Sequence, residues 1–199
     1  MVFSIDRTFT PPAVLETSSV KVATSLLQQD LLDLVEGKYI ALRIRNYYPK
    51  WLCEELCARL LELPEFARYL RAQNVGVQRT GITFFETKGD RDLLRHYYAQ
   101  AQRMCSAIRN ACFPYLSPID KLRLELEEVW NAGARLENIH EQTMMVGIVR
   151  MFEDCFELPP HQDVLVRDGA ESPSTALLLS HLSANVYLRE AGLGGELQV

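Results

Sequence analysis

An α+β fold is the class this sequence predicts, and three observations carry it. Amphipathic helical patterns fill the first half, extended runs rich in Val, Ile and Met gather after Gly133, and a His-X-Asp tripeptide, His161-Gln162-Asp163, follows one of those runs. With 199 residues and 48% hydrophobic content, the chain can bury one sizeable core. A single domain over residues 1–199 is expected, with residues 1–20 extended or flexible.

The elements follow from local chemistry. Val22, Leu26, Leu27, Leu31, Leu32 and Val35 recur at helical spacing and end at Gly37, which predicts a helix over Val22 to Glu36. Tyr39 to Ile44 alternates as a strand does. Pro49 opens a second helix running to about Leu63, because proline's missing N–H costs nothing in a first turn. Ile82 to Phe85 is a short strand candidate, and Asp90 to Cys112 is a long helix. Ser117-Pro118-Ile119-Asp120 supplies an N-cap, a first-turn proline and an early acid to a further helix, whose stripe of Ile119, Leu122, Leu126, Val129 and Trp130 reads as core packing. Thr143 to Phe152 and Ser183 to Leu188 are then expected as strands, and the polar stretch Val166 to Thr175 as a loop beside the tripeptide.

A formal charge of −5 gives no general attraction for nucleic acid or an anionic membrane surface, and a small soluble metabolite fits better as a partner. The apolar runs fall short of a membrane span, and the N-terminus lacks a signal-peptide core, so a cytoplasmic location is expected. The five cysteines, Cys53, Cys57, Cys105, Cys112 and Cys155, lie mostly in helical segments and read as free thiols. The sequence leaves the oligomeric state open.

His161 and Asp163 are the candidate metal ligands. Residues two apart on an extended segment point to the same side, so an imidazole nitrogen and a carboxylate oxygen can share one ion. Pro159 and Pro160 favour an extended entry to the pair. Strand, metal pair, loop, strand, glycine turn and strand is the order of a double-stranded β-helix, or jelly roll, with the helical N-terminal half packed on it.

The segments Ile148-Val-Arg-Met-Phe, Pro160-His-Gln-Asp, Tyr187-Leu-Arg and Gly194-Gly-Glu-Leu resemble the iron(II)/2-oxoglutarate-dependent oxygenases. The run Leu-Val-Glu-Gly-Lys-Tyr-Ile-Ala-Leu-Arg-Ile and the helical first half are similar to a narrower branch, the carrier-independent halogenases and hydroxylases acting on free amino acids or indole alkaloids. The resemblance implies Fe(II) as the metal, 2-oxoglutarate and O2 as co-substrates, and hydroxylation of an unactivated C–H bond of a small molecule. In the family's halogenases a small residue replaces the carboxylate ligand. Asp163 stands at that place here, which points to hydroxylation over halogenation, with desaturation or ring formation as related outcomes. The resemblance also implies a distal histidine ligand followed by an arginine, both expected beyond Val199, so that residues 1–199 would be incomplete at the C-terminus.

Secondary candidates each have a plainer reading. Asn185 and Tyr187 alternate onto one face and could contact 2-oxoglutarate, or Tyr187 could be an ordinary core tyrosine. Arg150 offers a planar fork to a substrate carboxylate, against a salt bridge with Glu153. His181 is weighed as a ligand against a packed or lid-contacting histidine, His140 reads as a loop residue, and Phe84-Phe85 and Tyr97-Tyr98 read as pocket-shaping or core aromatics. Two other functions compete: a catalytically silent jelly-roll binding module that keeps the tripeptide, and a cupin-like metal enzyme, which would need further histidines.

Overall fold

The computed structural model describes residues 2–6, 19–64, 66–70, 72–139, 141–159, 161, 163–168 and 175–195. It is mixed α and β. The strands β1 (Val2–Asp6), β2 (Val20–Ala23) and β3 (Ala41–Ile44) join β9 (His181–Asn185) in a four-stranded sheet of order β2-β3-β1-β9. Its β2–β3 pair is parallel, and the β3–β1 and β1–β9 pairs are antiparallel. A second, antiparallel sheet of order β4-β5-β8 is built from β4 (Phe66–Arg68), β5 (Val77–Thr80) and β8 (Arg150–Phe152). The short strands β6 (Asn138–Ile139) and β7 (Gln142–Thr143) pair with each other. The described strands do not close into a barrel.

The helices hold two apolar clusters together. In α2 (Lys50–Leu61) the residues Leu52, Leu56 and Leu60, one turn apart, are buried, and they face α4 (Arg91–Cys112), which buries Tyr97, Ala101, Met104, Ile108 and Cys112 along one stripe. Each such leucine contributes roughly 1.5–3 kcal/mol by leaving water. The Asp90 carboxylate caps α4 by accepting from the amides of Asp92 and Leu93, at 2.9 and 3.1 Å. The second cluster sets Leu31 and Leu34 of α1 (Gln28–Glu36) against Leu42 and Ile44 of β3 and Leu122 of α5 (Pro118–Val129). Helix α5 starts as its sequence predicts: Ser117 Oγ accepts from the Asp120 amide at 3.2 Å, with Pro118 in the first turn.

Several boundaries differ from the sequence reading. The helix expected over Val22 to Glu36 begins only at Gln28, because Val20 and Val22 alternate with polar residues and zip into β2 along β3, with Val22 opposite Arg43. Gly37 does end it, at φ 75° and with its amide on the Leu34 carbonyl at 3.0 Å. Ile82 to Phe85 is not a strand. The strand there is β5, after which Thr83 caps the short helix α3 (Phe84–Thr87). Of Thr143 to Phe152, only Arg150–Phe152 forms β8. The run before it is held instead by α4, whose Tyr97 hydroxyl accepts from the Met145 amide at 2.8 Å, and Cys105 Sγ donates to the Val146 carbonyl at 3.6 Å. The strand expected over Ser183 to Leu188 is β9, shifted to His181–Asn185. The loop expected over Val166 to Thr175 contains part of α6 (Leu165–Asp168) and the start of a 3-10 turn at Thr175–Leu177, while 169–174 lie outside the described residues. The segment 1–20, expected as extended or flexible, supplies β1 and the start of β2, with residues 7–18 outside the description.

Candidate functional site

The chain reaches the tripeptide through an anchored corner after β8. Glu153 donates its amide to the Gly76 carbonyl at 2.8 Å, and its carboxylate accepts from Arg68 Nε and from Gln78 Nε2, both at 2.9 Å. That pairing with Arg68 holds the Glu153 carboxyl below its usual range. The Phe156 ring then covers Gly76 so closely that a Cβ there would meet ring carbon at 2.1 Å, and Arg68 lies over the other part of that ring at 5.1 Å. Gly76 therefore has to be glycine, both for its φ of 60° and for this approach.

Beyond the corner, Pro159 shapes the histidine. Its carbonyl accepts from His161 Nδ1 at 3.0 Å, so in the neutral imidazole the proton sits on Nδ1 and Nε2 carries the lone pair. A backbone carbonyl on the far nitrogen is the usual way a metal-binding imidazole is oriented. His161 Nε2 stands 4.0 Å from Asp163 Oδ1, and the two side chains keep 54% and 50% of their surface exposed. Neighbouring donors of an octahedral ion, each about 2.1 Å from it, stand about 3 Å apart. The pair therefore needs roughly a 1 Å closure, within reach of side-chain rotation at two exposed residues. A neutral imidazole nitrogen and a carboxylate oxygen are a donor set that suits iron(II). No group of three or more metal-ligating side chains occurs among the described residues.

Helix α6, which starts two residues past Asp163, packs against α3. Helix α3 is fixed by a buried ion pair. The Glu86 carboxylate accepts from Arg79 at 2.9 and 2.8 Å, from the Thr83 amide at 2.9 Å and hydroxyl at 2.6 Å, and from the Leu70 amide at 2.7 Å. Burial pushes the Glu86 pKa up, but Arg79, Thr83 and the two amides outweigh it and hold the group ionised. Sequence reading missed this pair, although Thr83-Phe-Phe-Glu86 is a capping-box pattern that marks a helix start.

The other expected residues fall as follows. Arg150 is exposed on β8, directly opposite Arg79 of β5, and its Nε donates to the Tyr69 hydroxyl at 2.8 Å. The salt bridge with Glu153 weighed for it does not form, because Glu153 is taken by Arg68. Tyr187 lies past the end of β9 and is 40% exposed, so it is not a core tyrosine. Partial burial raises its pKa, outweighing the opposite effect of the Arg150 charge. Asn185 ends β9 opposite Val2. His181 begins β9 opposite Asp6, half-buried, with Nδ1 lacking a hydrogen-bond partner. Tyr97 and Phe84 pack edge to face in the helical core, 5.4 Å apart. Of the five cysteines, all free, Cys112 is buried and Cys155 exposed. Gln162, Glu196, Leu197 and His140 lie outside the described residues. No described helix is long and apolar enough to cross a membrane.

No protein-family model, curated protein or solved structure matches this chain.

Proposed function

We propose that this protein is an iron(II)- and 2-oxoglutarate-dependent oxygenase that hydroxylates an unactivated C–H bond of a small molecule, a free amino acid or specialised metabolite, in the cytoplasm, on a jelly-roll core that the two sheets belong to. One observation supports it above the others: His161 and Asp163 face each other at 4.0 Å on a non-helical segment, with His161 Nδ1 tied to a carbonyl so that Nε2 is presented outward. The resemblance of Pro160-His-Gln-Asp and Gly194-Gly-Glu-Leu to that family points the same way.

In this reading His161 and Asp163 hold the metal, beside the third protein ligand that the family resemblance implies. Bound iron(II), with 2-oxoglutarate and dioxygen, supplies the oxidant for C–H hydroxylation. The chain's own work is orientation. Pro159 fixes the imidazole tautomer, the Glu153–Arg68 corner fixes the approach of the segment, and Asn185 and Tyr187 flank the co-substrate. A carboxylate at position 163 occupies the place that halogenases leave open to halide, which favours hydroxylation.

A silent binding module is the competing reading, and the two-donor set among the described residues is what favours it. Anaerobic protein from the full reading frame, given iron(II) and 2-oxoglutarate, separates the two. The expected result is the weak visible absorption of the iron–2-oxoglutarate chelate, lost in His161→Ala and in Asp163→Ala. Absence of the band in the unaltered protein sinks the oxygenase assignment.

A further inference from the structure

Arg79 and Arg150 stand side by side across β5 and β8, and they are treated very differently. Arg79 is buried and fully neutralised by Glu86 at 2.8 Å. Among the described residues no carboxylate pairs with Arg150: the nearest acid along the chain, Glu153, is occupied by Arg68 and Gln78. What Arg150 does have is a mount. Its Nε donates to Tyr69 Oη at 2.8 Å, and Tyr69 is itself immobilised, 6% exposed, with its ring packed on Phe85 at 5.5 Å and under the Arg79 guanidinium at 5.6 Å.

A guanidinium gripped through Nε keeps its two terminal nitrogens, the edge that takes a carboxylate with two parallel hydrogen bonds. Helix α3 connects the mount of Arg150 to the segment that follows the candidate metal pair. Phe85 of α3 carries the Tyr69 ring, and α3 also packs on α6, two residues beyond Asp163.

We infer that Arg150, aimed by Tyr69, is the anion-recognising residue of the site and takes a carboxylate of the small molecule bound there. The inference rests on the oxygenase reading for the identity of that molecule, since both 2-oxoglutarate and a free amino acid substrate carry the group. It is separate from the arginine that the family resemblance places after the distal histidine. Tyr69 is a positioning residue: it touches the ligand only through Arg150.

The test is thermal-shift and calorimetric titration of the full-length protein in excess chelator, with 2-oxoglutarate in one arm and the free L-amino acids, each beside its carboxamide, in the other. A carboxylate should bind and its carboxamide should not. Arg150→Gln should weaken that binding about tenfold or more, Arg150→Lys should restore part of it, and Tyr69→Phe should weaken it severalfold. Loss confined to the 2-oxoglutarate arm assigns Arg150 to the co-substrate, and loss confined to an amino acid assigns it to the substrate. Equal binding by Arg150→Gln and the unaltered protein overturns the inference, as does a protein that binds none of these carboxylates. Because iron is chelated throughout, this outcome is independent of the absorption band that tests the metal pair. Circular dichroism of each variant without ligand separates misfolding from lost recognition.

Discussion

Two acid–base pairs in this chain are built in opposite ways. Arg79 and Glu86 are 3% and 0% exposed, and every Glu86 oxygen is met by a guanidinium, a hydroxyl or an amide. His161 and Asp163 are half exposed, stand 4.0 Å apart, and follow a stretch in which Phe156 and Leu158 are exposed as well. The first pair is satisfied and does structural work, pinning β5 to α3 and the segment at Leu70. The second lies at the surface, with a nitrogen and a carboxylate oxygen 4.0 Å apart and half of each side chain in water. Removing a member of the first should therefore cost fold, and removing a member of the second should cost chemistry.

That contrast gives the largest expected effect. Glu86→Ala leaves the Arg79 charge buried without a partner and two amides unmet, and should destabilise the protein by about 3–5 kcal/mol in urea unfolding. His161→Ala, at a site with 54% of the side chain exposed, should change stability by no more than about 0.5 kcal/mol while abolishing the iron–2-oxoglutarate absorption. Comparable losses of stability in the two variants would erase the distinction between the pairs.

A smaller effect is expected at the joint between the helical layer and the β8 run. Gly147 has φ 79°, and a Cβ placed on it would meet Ile119 Cγ2 of α5 at 2.5 Å. Gly147→Ala should cost about 1–3 kcal/mol through that clash and the left-handed backbone together. In an Ile119→Ala background, which removes Cγ1 and Cγ2, Gly147→Ala should cost less, because the clash eases and the backbone strain does not. An additive double variant would mean that α5 does not bear on this run.

What could be read in the sequence divides along the same line as the chemistry does. Helices α4 and α5 were legible because their signals are local: Asp90 and Ser117 cap within three residues, and the buried stripe repeats every turn. The spacing of His161 and Asp163 was legible for the same reason. The start of α1 was not, because Val20 and Val22 find their partners in β3, about twenty residues on, and helical periodicity overlapped strand alternation in that stretch. Nor was the Arg150–Tyr69 hydrogen bond, which spans 81 residues and depends on β5 lying between them. The α3 turn is a different case. Its capping box was on the page at Thr83 and Glu86, but the apolar run Ile82 to Phe85 outweighed it.

The smallest effect concerns a third acid, intermediate between the two pairs. Asp33 on α1 accepts from Lys38 Nζ and Gln29 Nε2 at 2.7 Å and from the Tyr39 hydroxyl at 2.9 Å. Lys38 foremost, then Gln29 and Tyr39, outweigh desolvation and lower its pKa from 3.8 to about 2. A carboxyl depressed on folding adds stability that is fully present above its unfolded value and disappears as pH falls through its folded value. The contribution of Asp33 should therefore fade between pH 3.8 and about 2. Glu86 and Asp120 are depressed too, so the unaltered protein loses stability in acid from several sources, and only a difference isolates one. At about pH 6, Asp33→Asn should melt lower than the unaltered protein, and the two melting curves should converge as pH approaches 2. Curves that stay parallel across that window would show that the α1–β3 network holds by hydrogen-bond geometry and not by the charge of Asp33.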